Sequence, residues 1–202
     1  MLKSGDEYLE SLRDGRRVFI GNEQVEDVTE HKAFRNAARS FAMIYDMKAD
    51  PENRDVMSFE EEGDRFSSYF LMPKTQDDLV KRMETHRRIA EWSHGLLGRS
   101  PDHVSSFVTG LAMKPKMFEE IGEGFGANIV NYYKYMRTND IFSCYTVLPP
   151  QGARKPELYE REGMTVPTLR VTDEDDNGVT LNGMKMLGTS AVFSNETWVG
   201  NL

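Results

Sequence analysis

NDIFSCYTVLPPQGAR, residues Asn139 to Arg154, is where the chain changes character. Before it the sequence reads as helices, and after it as short strands and turns. The apolar run Ile141–Leu148 has the length and the β-branched and aromatic content of a buried strand. Pro149-Pro150 stops it, because proline fixes φ and has no N–H for a ladder. Gln151, Gly152, Ala153 and Arg154 then form a turn of small residues closed by a guanidinium. Such a turn can offer backbone amides and one cation to an anionic or polar ligand, and it can equally be a plain connection. The changeover sets the fold class as α+β: a mainly helical domain over 1–138, then the start of a β domain, barrel or sandwich, over 139–202.

Upstream, Ser4 and Glu7 have capping-box spacing for a helix over Ser4–Arg13. Val18–Ile20, Gly21-Asn22 and Val25–Val28 read as a small hairpin. Thr29 is placed to cap a helix over Lys32–Met47 with a wide apolar stripe, ended by Ala49-Asp50-Pro51. The acidic stretch 58–65 leads into a strand over Phe66–Leu71. Thr75, followed by Asp77 and Asp78, starts a helix that the pattern carries to Leu97 and Gly98. Ser100 as cap and Pro101 as first helical residue restart a helix through Leu111. Pro115 interrupts, and a further helix runs from Phe118 to Met136. GEGFG at its start lacks the preceding strand and the full GxGxxG spacing, so its glycines read as a kink or a close contact. Downstream, Thr165–Thr172, Val179–Leu181 and Met184 onward read as strands, with an acidic turn over Asp173–Gly178 and a hairpin turn at Asn182-Gly183. The unpaired edges this leaves at Leu202 suggest the N-terminal part of a longer protein, or a sheet completed by partner chains.

Composition narrows the function classes. A net charge of −8, from 33 acidic and 25 basic residues, argues against a nucleic-acid or polybasic membrane surface. The single cysteine, Cys144, allows neither an internal disulfide nor a cysteine-rich metal site. No secretory leader pattern and no run of about eighteen apolar residues occurs, which makes a cytoplasmic protein the default expectation. His31, His86, His94 and His103 show no metal-ligand spacing. Twelve methionines suit irregular core gaps or a broad apolar pocket. Arg99 stands just before a helix N-terminus, beside Asp102 and His103. Guanidinium, imidazole and free amides there could hold an anionic oxygen; the alternative is a capping turn with a surface Arg–Asp pair.

Four motifs in order, GLLGRSPDHV (95–104), YYKYMRTNDIF (132–142), YTVLPPQGAR (145–154) and GMKMLGTSAVFSNE (183–196), resemble the oxygenase components of two-component flavin-dependent phenol monooxygenases, the 4-hydroxyphenylacetate 3-monooxygenase family. EYLESLRDGR, FRNAARSFAMIYDMKADPENRD and LMPKTQDDL resemble its chlorophenol and nitrophenol branch. The resemblance implies an acyl-CoA-dehydrogenase-like architecture lacking here its C-terminal helical bundle. It also implies a homotetramer, and FAD delivered as FADH2 by a separate flavin reductase. The implied reaction is hydroxylation of a phenol by O2 through a C4a-hydroperoxyflavin, on a chloro- or nitrophenol with loss of the substituent. By the same resemblance Arg99 is catalytic, and Arg99, His103 and Tyr145 bind substrate. Tyr145, Thr146, Val147, Gln151, Gly152, Ala153, Arg154 and Thr189 bind the flavin. His103 and Tyr145 stand where the hydroxyphenylacetate branch tends to carry tyrosine and histidine, which favours a phenol other than hydroxyphenylacetate. A hydroxyphenylacetate-type ortho-hydroxylase and a non-catalytic helical interaction module are the alternatives. An iron–sulfur dehydratase on the same fold would need more cysteines.

Overall fold

Ser4 and Glu7 form the reciprocal cap their spacing predicts, opening α1 (Gly5–Ser11) in the computed structural model, which describes residues 1–200. Asn201 and Leu202, the end of the expected β domain, lie outside the described residues. A hairpin of β1 (Val18–Ile20) and β2 (Glu23–Val25) follows. Then come α2 (Arg35–Ala49), the single turn α3 (Arg54–Met57), and a second hairpin of β3 (Ser58–Glu61) and β4 (Asp64–Ser67). Thr29 does not cap α2. Its amide and hydroxyl both bond the Asp27 carboxylate, and the helix starts after Phe34. The expected strand over Phe66–Leu71 is shorter and earlier, ending at Ser67 and passing into a 3-10 turn over Ser68–Phe70; the acidic stretch supplies its partner β3.

Thr75 and Asp78 cap α4 (Gln76–Trp92) reciprocally, but the helix ends before Leu97. His94 and Gly95 turn to positive φ and break it. Next come α5 (Asp102–Ala112), α6 (Pro115–Glu119) and α7 (Phe125–Thr138). Ser100 does not cap α5 from its side chain; its hydroxyl donates to Asp102. The helix expected over Phe118–Met136 is split at Gly124, whose φ of +81° is open to glycine without penalty. The Glu119 carboxylate accepts from the Gly124 and Gly126 amides there, at 2.9 and 3.0 Å.

Beyond α7 lie β5 (Ser143–Thr146), a 3-10 turn over Gln151–Arg154, α8 (Pro156–Arg161), β6 (Arg170–Asp175), β7 (Gly178–Asn182) and β8 (Glu196–Val199). β8 pairs parallel to β5, with Tyr145 opposite Trp198. The β6–β7 hairpin turns at Asp176-Asn177, where the Asp175 carboxylate takes the Asn177 and Gly178 amides. Asn182-Gly183 is therefore no hairpin turn, and Met184 and Met186 make only isolated bridges, to Thr168 and Leu148. None of the helices among the described residues is long and apolar enough to cross a membrane.

Two apolar clusters meet at the 139–154 stretch. One, under α1 and α2, stacks Tyr8 on Tyr45 at 4.5 Å and contains Phe41 and Phe142. The other, between α5 and α7, holds Tyr69, Phe70, Val104, Val108, Tyr133, Met136 and Ile141. Successive residues Ile141 and Phe142 thus point into different clusters, as alternation along an extended chain requires. Just before them, Asp140 closes α7 in a left-handed conformation (φ +45°), with the Ile141 amide bonded to Met136 O.

The Asp140 carboxylate is buried and fully engaged. Oδ1 accepts from Ser67 Oγ (2.7 Å) and Tyr69 OH (3.1 Å), and Oδ2 from Lys48 Nζ (2.5 Å) and the Lys3 amide (3.1 Å). Lys48, also buried, donates to Tyr69 OH at 3.1 Å and sits 3.9 Å from the Tyr45 ring centre. Burial pushes the Asp140 carboxyl up, but Lys48 outweighs it and holds the group below its ordinary range. Lys48→Met should therefore cost about 3–5 kcal/mol, read from urea unfolding, because it strands a buried carboxylate. Lys48→Met with Asp140→Asn should be the more stable of the two variants, and equal stabilities would contradict this account.

Candidate functional site

The sequence of β5 alternates faces, and its burial follows. Cys144 and Thr146 are buried on one side, while Tyr145 is turned toward α5. On α5, Val104 and Val108 face the core, and His103 and Phe107, four residues apart, share the face toward Tyr145. Phe107 lies 6.0 Å from the Tyr145 ring and meets Trp198 edge-on at 5.3 Å. Between the two elements is a cavity of about 360 Å³ lined by Arg99, His103 and Phe107, by Tyr145, Val147 and Leu148, and by Val104, Leu187 and Thr189.

The far wall is a tight loop. Leu187 and Ser190 adopt positive φ (+60° and +67°), uncommon for residues with a Cβ, and they bracket Thr189. Gly188 is needed here: a Cβ would stand 2.8 Å from the Thr146 methyl. Lys185 ties this loop to both strands, donating to Val147 O (3.1 Å) and Gly200 O (2.6 Å).

Arg99 reaches the His103 ring. Burial first, then the Arg99 charge, lowers the His103 pKa below the usual histidine value, with Asp102 opposing. A neutral imidazole accepts from the guanidinium, so a single positive charge faces the cavity. Asp102 does not pair with Arg99. Its Oδ2 binds His86 Nδ1 at 2.6 Å and its Oδ1 takes the Ser100 hydroxyl.

Of the sequence-predicted site residues, Arg99, His103, Tyr145, Val147 and Thr189 converge on this cavity. Thr146 faces away, against Gly188. Gln151, Gly152, Ala153 and Arg154 form the 3-10 turn after Pro150 and do not line it. Sequence reasoning missed Phe107, Leu148, Leu187 and Lys185. Only Phe107 carried a signal, its i+4 spacing from His103. Chemically, the arrangement is an apolar slot with one cation and two hydroxyl-bearing side chains, suited to a flat ring with an anionic oxygen.

Over residues 4–202 the chain matches the family described as 4-hydroxyphenylacetate 3-hydroxylase N terminal. The chain belongs to that family. Among its hydroxylase relatives, the 4-hydroxyphenylacetate 3-monooxygenase oxygenase component of Geobacillus sp. (strain PA-9) is 34% identical over 98% of this chain and 40% of its own length. The 4-nitrophenol 2-monooxygenase oxygenase component of a Rhodococcus species is 32% identical over 98% of this chain and 37% of its own. The chain thus spans about two-fifths of the length of these relatives. A crystal structure of the oxygenase component of 4-hydroxyphenylacetate 3-monooxygenase complexed with FAD superposes with a TM-score of 0.88, at 32% identity, over 99% of this chain and 41% of that one. An archaeal 4-hydroxybutyryl-CoA dehydratase from N. maritimus, 19% identical with a TM-score of 0.82, covers 100% of this chain and 40% of its own, and shares the fold.

The electrostatics predict that the His103 imidazole titrates below the ordinary histidine value, measured by NMR, and that Arg99→Met moves it upward. Because the unfolded chain takes up this proton first, stability falls as pH drops through the unfolded histidine value.

Proposed function

We propose that this chain forms one wall of the flavin and phenol site in the oxygenase component of a reduced-FAD-dependent aromatic monooxygenase. What carries the reading is the convergence of Arg99, His103, Tyr145, Val147 and Thr189, distant in sequence, on one slot. The slot passes a chemical test for such ligands. Its walls are apolar, and among the described residues Arg99 makes no ion pair with a carboxylate, which leaves the guanidinium for a ligand anion.

Reduced FAD, when bound, supplies the activated oxygen. The chain's own residues bind, orient and shield. The Arg99 guanidinium holds the phenolate oxygen, and that charge favours the ionised phenol. His103, neutral, accepts from Arg99 and fixes its orientation. Phe107, Leu148 and Leu187 exclude water. Tyr145 and Val147 would face the flavin, with Thr146 supporting that wall from behind; Thr189 would offer it a hydroxyl, and the Gln151–Arg154 turn would hold a more distant part of the cofactor.

Within this reading the substrate is a chloro- or nitrophenol that loses its substituent. His103 and Tyr145, which stand in place of the hydroxyphenylacetate branch's usual tyrosine and histidine, support it. A flavin reductase as the FADH2 source, a cytoplasmic location and a homotetramer belong to the same proposal and rest on the family resemblance.

With reductase, NADH and FAD, the protein should convert a member of a chlorophenol and nitrophenol panel; no turnover with a verified FADH2 supply would overturn the reading. In an anaerobic titration, Arg154→Ala should bind reduced FAD about tenfold more weakly, the scale of one lost charge-assisted contact. Equal affinity would remove the 151–154 turn from the cofactor site.

A further inference from the structure

The loop that carries Arg99 is hollow on both sides. On one side is the slot; on the other is a second cavity of about 380 Å³, lined by His86, Ser93, Gly98, Ser100, Asp102 and Ser106 among others. His103 lines both. Packing anchors this loop at Leu97 and Ser100 but not between and around them: Leu96 is 84% exposed, and a Cβ added at Gly95 or Gly98 would meet nothing within 4 Å. A thin segment between two cavities needs another restraint if it is to present a guanidinium in a fixed place.

The restraint is a chain of polar contacts running to α4. Ser100 donates to Asp102 Oδ1, Asp102 Oδ2 binds His86 Nδ1 at 2.6 Å, and the far nitrogen of His86 lies 3.4 Å from Ser106 Oγ. Asp102 and Ser106 are one helical turn apart, so the single imidazole spans the first turns of α5. Asp102 is largely buried, with its side chain 15% exposed. Burial pushes its carboxyl up, but the His86 and Ser100 hydrogen bonds outweigh this and hold it below its ordinary range, as an anion.

We infer that His86 is a positioning residue for the phenol site, holding Asp102 so that the Arg99 loop stays in place and Asp102 stays off Arg99. Both effects follow from one bond. Asp102 is three residues from Arg99 and one from His103. Released from His86, it becomes an anion free to swing onto the guanidinium and cancel the charge meant for substrate. The inference rests on the phenol reading and adds to it a residue that touches neither the slot nor a ligand.

The test uses 4-nitrophenol, whose yellow phenolate band reports binding and ionisation, with the complete protein and the variants His86→Ala, His86→Asn and Arg87→Ala. Asn keeps a neutral donor for Asp102, and Arg87 is a neighbouring surface residue paired with Glu84 and Glu91. His86→Ala should bind 4-nitrophenolate about tenfold more weakly, within the range that misplacement of a positioned group costs. It should also raise KM more than it lowers kcat, and speed amide exchange across residues 97–101. His86→Asn should restore most of the affinity, and Arg87→Ala should match wild type. Wild-type affinity and exchange in His86→Ala, or equal losses in the Ala and Asn variants, would overturn the inference while leaving the phenol reading standing. Where the wild type prefers another member of the chlorophenol and nitrophenol panel, that phenol is the probe; a wild type that binds no member of the panel would overturn both.

Discussion

The Lys48–Asp140 pair decides where the halves of this chain meet. Taking both charges out of water is costly, and the hydrogen bonds around the pair offset that cost: four to the Asp140 carboxylate and a second from Lys48 to Tyr69. Those partners come from four places: the N-terminal backbone at Lys3, α2 at Lys48, the end of β4 with its 3-10 turn at Ser67 and Tyr69, and the end of α7 at Asp140. A displaced partner leaves a buried charge short of a bond, and the cost of that fixes the relative placement of all four. Asp140 also stops α7, and the two residues after it enter the two apolar clusters. Charge, helix termination and core packing are settled within three consecutive residues.

From that junction the site follows with little freedom. β5 leaves Phe142 with its direction set by the clusters, and alternation then turns Tyr145 toward α5. The position of α5 is set in turn by Val104 and Val108 in the second cluster and by α7 behind it. The slot is therefore a gap between two elements fixed by burial elsewhere. Its own lining, with exposed Leu187 and half-exposed Phe107, contributes little to holding it open. Lys185 supplies the missing link on the strand side, as the His86–Asp102 contact does on the helix side.

How much of this the sequence shows depends on the range of the interaction responsible. Local rules were legible: the Ser4–Glu7 and Thr75–Asp78 caps form as their spacing predicts. Apolar periodicity placed α2, α5 and β5, and the passage from α7 into β5 was visible as a change of period. What failed was local chemistry overruled by a neighbour. Thr29 is taken by Asp27, Ser100 by Asp102, and Asn182-Gly183 loses the hairpin to the Asp175–Gly178 turn a few residues earlier. The ion pair was invisible because it spans 92 residues and its members carry no pattern. Five residues that line the slot, Arg99, His103, Tyr145, Val147 and Thr189, lie in the family motifs; the contacts of Lys185 and His86 were not legible, since their partners lie in distant segments.

The slot also has to solve a problem of sign. The sequence carries a net charge of −8, and the ligand proposed for the slot, a phenolate, is an anion. Over distances beyond about 8 Å, physiological salt screens the general repulsion, so the balance is set by what stands inside the slot. There the relevant groups are Arg99 and a His103 held neutral by burial and by Arg99 itself, with Asp102 behind them on the second cavity. A protonated His103 would add attraction but would compete with Arg99 for the same space, while a free Asp102 would remove the attraction altogether. Neutral imidazole on one side and a tethered carboxylate on the other leave one guanidinium with its charge undivided. On the proposal that the slot takes a phenolate, that arrangement lets a chain of net charge −8 favour an anionic ring oxygen at one defined point.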